Sequence, residues 1–170
     1  MAPLVSVAFF VTPQEIYTRL TDQFGESVLS FEEAIGDPYI LVKPEAIADI
    51  GLYLAEAQEL AFDSLMCLSG VDLNAKDTDL AVVYHLYSMS LRHKIVLKVI
   101  VPKENPQMPT VEHIWKTANW HEREAYDLYG IVFEGHSDLR RILLPDDWEG
   151  YPLRKDFKEP DFYRGMRVPY

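Results

Sequence analysis

Three runs that read as strands, Leu65 to Leu73, Leu80 to Met89 and Ile95 to Val101, are separated only by short polar connectors. The connectors, residues 74–79 and 90–94, cannot hold the crossover helix that a parallel pair requires. The three runs are therefore expected to form an antiparallel meander. In the last of them, Ile95, Leu97, Val99 and Val101 face one way and Val96, Lys98 and Ile100 the other, because side chains alternate along a strand. Both faces are largely apolar. Helices can cover one of them; the other is left for the tail of the chain or for a partner.

Two helices and a pair of short strands precede the meander. Thr12-Pro13-Gln14-Glu15 is a helix start: Thr12 can cap, Pro13 suits the first position and Glu15 completes a capping box. Ile16, Leu20 and Phe24 then share one stripe, and Gly25 ends the helix. Val28 to Phe31 and Tyr39 to Val42 read as strands around the turn Gly36-Asp37-Pro38. Lys43-Pro44-Glu45 opens a second helix whose apolar face holds Ile47, Ile50, Leu54, Ala57 and Ala61. The apolar run Leu4 to Val11 lacks a basic flank and is too short to span a bilayer, so it is expected as a strand or a lead into the first helix. The expected class is α+β: an antiparallel or mixed sheet with helices packed on one face and an extended C-terminal arm.

The arm is read from the stretch Trp120 to Tyr170, dense in aromatics, arginines, acids and prolines. Pro102 to Pro109 is expected as a loop. Thr110 is placed to cap a short helix to about Ala118, and Asn119 with Glu122 forms the capping box of another, which Gly130 ends. Beyond it, Pro145, Pro152, Pro160 and Pro169 forbid a long helix. Trp, Tyr, Phe and Arg are the residues that anchor interfaces, and here no regular element buries them. Residues 1–133 are expected as a globular domain and 134–170 as an arm lying on that body or on a partner.

Charge separates the two parts. The chain carries a net charge of −11; residues 1–133 hold 19 Asp/Glu and 9 Lys/Arg, residues 134–170 hold 8 and 7. The body repels polyanions such as nucleic acid, while the tail suits specific ion pairing. Apolar content of 48% excludes general disorder.

The inventory of chemical groups is sparse. Cys67 is the single cysteine and lies in an apolar run, so neither a disulfide nor a cysteine-held cluster is available. His121-Glu122-Arg123-Glu124-Ala125 begins like a zinc-protease helix but has Ala125 where the second histidine must stand, and His136 is isolated in sequence. The chain has no dinucleotide glycine pattern, phosphate-binding loop or nucleophile elbow, and Ser137 lacks that elbow's glycines. Glu122, Glu124 and Asp127 could serve as acid–base groups. Arg140, Arg141, Arg154 and Lys155 follow closely, and arginine grips carboxylates bidentately, so ion pairing between arm and helix is the expected role.

One long pattern carries a resemblance. Glu122, Arg123, Glu124, Tyr126, Asp127, Leu128, Tyr129, Gly130 and Ile131 are followed by Phe133, Gly135 and His136. Asp138, Leu139, Arg140, Arg141, Ile142 and Leu143 come next, then Asp147, Trp148, Gly150, Pro152, Leu153, Arg154, Lys155 and Asp156. The pattern resembles the C, or 30-kDa, subunit family of proton-pumping NADH:quinone oxidoreductase, respiratory complex I. It departs from that family at Ser137, where proline is usual; serine relaxes the turn at a cost of ~0.5–1 kcal/mol.

The resemblance implies a structural, non-catalytic subunit of the peripheral arm of a proton-translocating enzyme that passes electrons to quinone. It implies that this chain binds no cofactor, with FMN, iron–sulfur clusters and quinone held by partner subunits. It implies D (49-kDa), B and I subunits as partners, and a peripheral position on the cytoplasmic face of the bacterial plasma membrane. An equivalent subunit of a membrane-bound hydrogenase or a ferredoxin-dependent quinone reductase is the alternative. Trp148, Tyr151, Phe157, Phe162 and Tyr163 are the expected anchors of the arm, with Arg140, Arg141, Arg154 and Lys155 as ion-pair partners.

Overall fold

The computed structural model describes residues 11–33, 36–73 and 78–168. The expected strand or lead beginning at Leu4 lies outside these residues, save for Val11, which is buried. Helix α1 spans Pro13–Phe24 with the capping box in place: Thr12 Oγ1 accepts the Glu15 N–H, and Glu15 accepts the Thr12 N–H at 2.7 Å. Ile16 and Leu20 are buried, Phe24 packs against the core, and Gly25 caps the end.

Strands β1 (Val28–Glu32) and β2 (Tyr39–Val42) form the antiparallel pair. Helix α2 spans Ile47–Glu56 and stops a turn before the expected end. Ala57 turns extended, Ala61 takes a positive φ, and the Phe62 N–H donates back to the Leu54 carbonyl at 2.9 Å. The reason is packing. Leu60 and Phe62 are fully buried, and the Trp115 indole N–H donates to the Phe62 carbonyl at 2.8 Å. A helix continued to Ala61 would carry these side chains past the core.

The meander is β3 (Ser64–Asp72), β4 (Asp79–Tyr87) and β5 (Lys94–Pro102), antiparallel throughout. β2 pairs with β5 in parallel, giving a mixed five-stranded sheet in the order β1-β2-β5-β4-β3 with β5 at its centre. Ile40, Val42, Leu65, Leu68, Leu80, Val82, Tyr84, Leu86, Ile95, Leu97, Val99 and Val101 point to one side and join residues of α1 and α2 in a continuous core. Each fully buried aliphatic side chain contributes about 1.5–3 kcal/mol there.

Two segments differ from expectation. Gln107–Pro109 is a strand, β6, paired in parallel with β7 (Val132–Glu134) in a second small sheet. The stretch after Thr110 makes turns rather than a helix. Helix α3 spans Ala118–Tyr129, and its first turn lacks the expected box between Asn119 and Glu122 because the Glu122 carboxylate is taken elsewhere.

Gly130 ends α3 with φ +74, and a Cβ there would lie 2.4 Å from the Tyr151 ring. Both facts call for glycine. Gly130→Ala is expected to cost about 1–3 kcal/mol from the left-handed backbone, with the contact to Tyr151 adding to it. Urea unfolding checks the value; a loss below about 0.5 kcal/mol would mean the turn relaxes freely.

Candidate docking arm and its anchorage

The arm leaves the second sheet through a buried polar root. Glu122, on α3, is fully buried and accepts hydrogen bonds from the Thr110 hydroxyl and, at 2.8 Å, from the Val111 N–H. Burial pushes its pKa up to about 7; these two donors pull against that, and the nearby Glu112 carboxylate raises it further. His136, whose side chain is inaccessible, lies 3.9 Å from Glu122 and 3.5 Å from Glu112. Its Nδ1 accepts the Asp138 N–H, so the ring proton is assigned to Nε2, which faces the Asn119 carbonyl at 3.1 Å. Glu112 also accepts from the Ser137 N–H and hydroxyl and from Asn119. Burial opposes ionisation of Glu112, but the bonds from Asn119 and Ser137 outweigh it and hold its pKa below the ordinary value. A proline at 137 would have no N–H to give Glu112.

Asp127 is the main anchor. Fully buried near the end of α3, it accepts the N–H groups of Ile142, Leu143 and Leu144 at 2.7–3.0 Å and the Arg141 guanidinium at 2.8 Å. Burial works against its charge, yet the Leu144 and Leu143 amides, Arg141 and the Ile142 amide prevail and keep its pKa low. Arg141 reaches on to the Trp148 and Gly150 carbonyls at 3.2 Å. One carboxylate thus fixes three consecutive backbone amides and, through arginine, the next loop.

Further along, Tyr151 lies beneath the Arg154 guanidinium at 4.8 Å and beside Arg141 at 5.5 Å. Arg154 donates to the Tyr129 carbonyl at 2.6 Å. The Lys155 N–H donates to Asp72, at the end of β3, and Lys103 pairs with the same carboxylate at 2.8 Å. From there the chain runs to a two-stranded hairpin, β8 (Phe162–Tyr163) and β9 (Met166–Arg167). Tyr163 and Arg164 grip Asp147 at 2.9–3.0 Å, and the Tyr163 ring packs tilted against Trp148 at 5.3 Å.

The expected pairing of arm and helix thus holds at Asp127 with Arg141 and takes another form elsewhere. Arg140 pairs with exposed Asp138 rather than with α3. Arg154 meets a carbonyl, and Lys155 meets Asp72 and the Leu73 carbonyl. Glu122 has no arginine partner among the described residues, and Glu124 is exposed beside a cavity of about 150 Å³ that His121 and Leu153 also line. Arg123 is buried, stacks on Trp120 at 4.9 Å and donates to the Arg140 carbonyl. Tyr126, Leu139 and Pro152 are half-buried, Asp156 is exposed, and Gly135 and Gly150 occupy positive-φ turns.

Of the five expected anchors, Trp148, Tyr151, Phe157 and Tyr163 are half-buried, and Phe162 alone is exposed, at 65%. Glu112, Thr110 and Asp72 were not legible as site residues, because their partners lie far away in sequence. No group of three or more His, Cys, Asp or Glu residues among those described is arranged to hold a metal ion.

Residues 40–163 match the family described as respiratory-chain NADH dehydrogenase, 30 Kd subunit. The NADH-quinone oxidoreductase C subunit of Chloroherpeton thalassium is 47% identical over 93% of this chain, which spans 66% of that protein's length. The C subunit of Chlorobium phaeobacteroides is 42% identical, covering 91% of this chain and 93% of the relative. Among solved structures, a trypsin-resistant fragment (1–134) of Nqo5 is 32% identical with a TM-score of 0.59, covering 73% of this chain and 99% of the fragment. A chain of an archaeal membrane-bound sulfane sulfur reductase is 27% identical with a TM-score of 0.68, covering 85% of each.

Proposed function

We propose a bracing role for this chain, which belongs to the respiratory-chain NADH dehydrogenase 30 Kd subunit family. It is the C subunit of an NADH:quinone oxidoreductase, a complex that carries electrons to quinone. In our reading the chain contributes position rather than chemistry. Its neighbours are the D, B and I subunits, and FMN, iron–sulfur clusters and quinone are held by other subunits of the complex. The chain joins them at the membrane surface as a peripheral subunit; no helix among the described residues is long and apolar enough to cross a membrane.

The carrying observation is the division of labour along the arm. The arm is fixed to the body by backbone N–H groups on Asp127 and Asp72 and by the Arg154 side chain on the Tyr129 carbonyl, while Leu143, Leu153, Phe162 and Met166 point outward at 49–65% exposure. Exposed large apolar side chains on a preorganised backbone suit docking, since little ordering entropy remains to be lost on binding. The trypsin-resistant fragment of Nqo5 aligns with 73% of this chain, which favours a compact body with a more accessible remainder. Sites of electron transfer and quinone binding need tightly held geometry, and a stiff brace supplies it.

Phe162→Ala with Met166→Ala tests the role. Solubilised membranes should yield complexes at least about tenfold depleted in this chain, the equivalent of losing 1.4 kcal/mol of binding. The unfolding midpoint of the purified chain should stay within the small range of surface substitutions. Undiminished recovery would overturn the docking role of the arm.

A further inference from the structure

The face of the five-stranded sheet opposite the core is covered by no helix or strand pairing among the described residues, although Ala81 and Val96 on it are buried and its other side chains half-buried. Register places Tyr39 and Leu41 of β2, Val96, Lys98 and Ile100 of β5, Ala81, Val83, His85 and Tyr87 of β4, and Cys67, Ser69 and Val71 of β3 on that side. None of its apolar residues belongs to the core cluster or packs against it. The arm does not serve this face in the contacts it makes: its bonds go to α3, to the loop holding Glu112, and to the end of β3.

Charge on this face runs against the molecule as a whole. The chain is at −11, yet the interior of the face carries Lys98 and His85 and no acid. The acids lie at the rim: Glu32 on β1, Asp79 at the start of β4, and Asp37, which pairs with Lys94. The Lys98 ammonium sits 5.0 Å from the Tyr39 ring and has no carboxylate partner among the described residues. His85 has a buried Nδ1 with no hydrogen-bond partner there.

We infer that this half-buried sheet face is a second docking surface, occupied by a different polypeptide that presents an apolar patch with a carboxylate at its centre, opposite Lys98. The inference rests on the reading of this chain as a subunit of a larger complex, but not on the arm. Burying an unpaired ammonium costs several kcal/mol, so an occupant that covers Lys98 must bring the matching anion. A second copy of this chain fits badly. β5 is the middle strand, so a twofold contact through this face would bring the two Lys98 side chains together. Five strands at about 4.8 Å spacing and about six residues along each give a face on the order of 500 Å². That is the size of a functional patch but less than the ~800 Å² per partner of a stable interface, so the face forms one part of a larger contact within the complex.

The test uses the assembled complex. A photoreactive phenylalanine analogue is placed at Val83 or Tyr39, and at Phe162 as the arm control. Cross-links from Val83 and Tyr39 to another subunit support the inference. Cross-links from Phe162 alone overturn it while leaving the arm's role intact. A cross-link from the sheet positions to a second copy or within the chain overturns it too, and silence at all three positions removes both readings. As a second measurement, Lys98→Glu should lower recovery of the chain in the complex about tenfold or more by setting like charges face to face. Lys98→Arg should not lower it. Equal recovery of both variants counts against the carboxylate.

Discussion

Replacing Asp127 with alanine should detach the first half of the arm and cost about 3–5 kcal/mol, the range for removing one member of a buried charged pair. The substitution strands Arg141 and three consecutive amides, those of Ile142, Leu143 and Leu144, which together converge on this one side chain. Water can reach some of these donors once the arm lifts, so the chain is expected to open locally rather than bury them unpaired. Asp127→Asn keeps one acceptor oxygen and should lose less. Urea unfolding gives the energy, and limited trypsin digestion followed by mass analysis gives the place. Cleavage after Arg140, Arg141 or Arg154 should appear at protease levels that spare the native chain. A loss below about 1 kcal/mol, with no new cleavage, would show that the arm is held by other contacts.

The second large effect is on pH dependence. Glu122 keeps its proton in the fold up to about pH 7, whereas its ordinary value is 4.5. Between those values the folded chain binds more protons than the unfolded chain, so stability falls as pH rises. The contribution is fully present below pH 4.5 and is lost as pH passes through about 7, a change on the order of 3 kcal/mol. Asp127 and Asp72 act in the opposite sense. Their pKa values are held below 3.8 in the fold, so their contributions are present above that value and vanish in acid. The chain should therefore be most stable in mildly acidic solution. Glu122→Gln mimics the protonated acid and should flatten the decline. Urea midpoints from pH 5 to 8 check this: equal slopes for the variant and the parent chain would show that Glu122 is not the titrating group.

The pH effect also bears on assembly, since Glu122 lies at the arm's root. Its neighbours there are His136, Glu112, Thr110 and Val111, so ionising Glu122 loads the turn from which the arm departs.

The sequence alone settled the local elements. The capping box at Thr12 and Glu15, the meander and the glycine stop at Gly130 depend on neighbours a few residues away, and such patterns are written in order along the chain. The arm's lack of long helix follows from its prolines for the same reason, and the motif from Glu122 to Asp156 sufficed for the family. The tertiary structure decided which partner each charged group takes. Glu122 was placed to cap its own helix but instead receives Thr110 and Val111; Asp72 receives the Lys155 backbone N–H, 83 positions away, while the Lys155 ammonium goes to the Leu73 carbonyl. A carboxylate adjacent to several donors in sequence goes to those that burial leaves unsatisfied, and burial is a property of the folded packing. The early stop of α2 has the same origin: helix propensity continued past Glu56, and the need to seat Leu60 and Phe62 in the core overrode it.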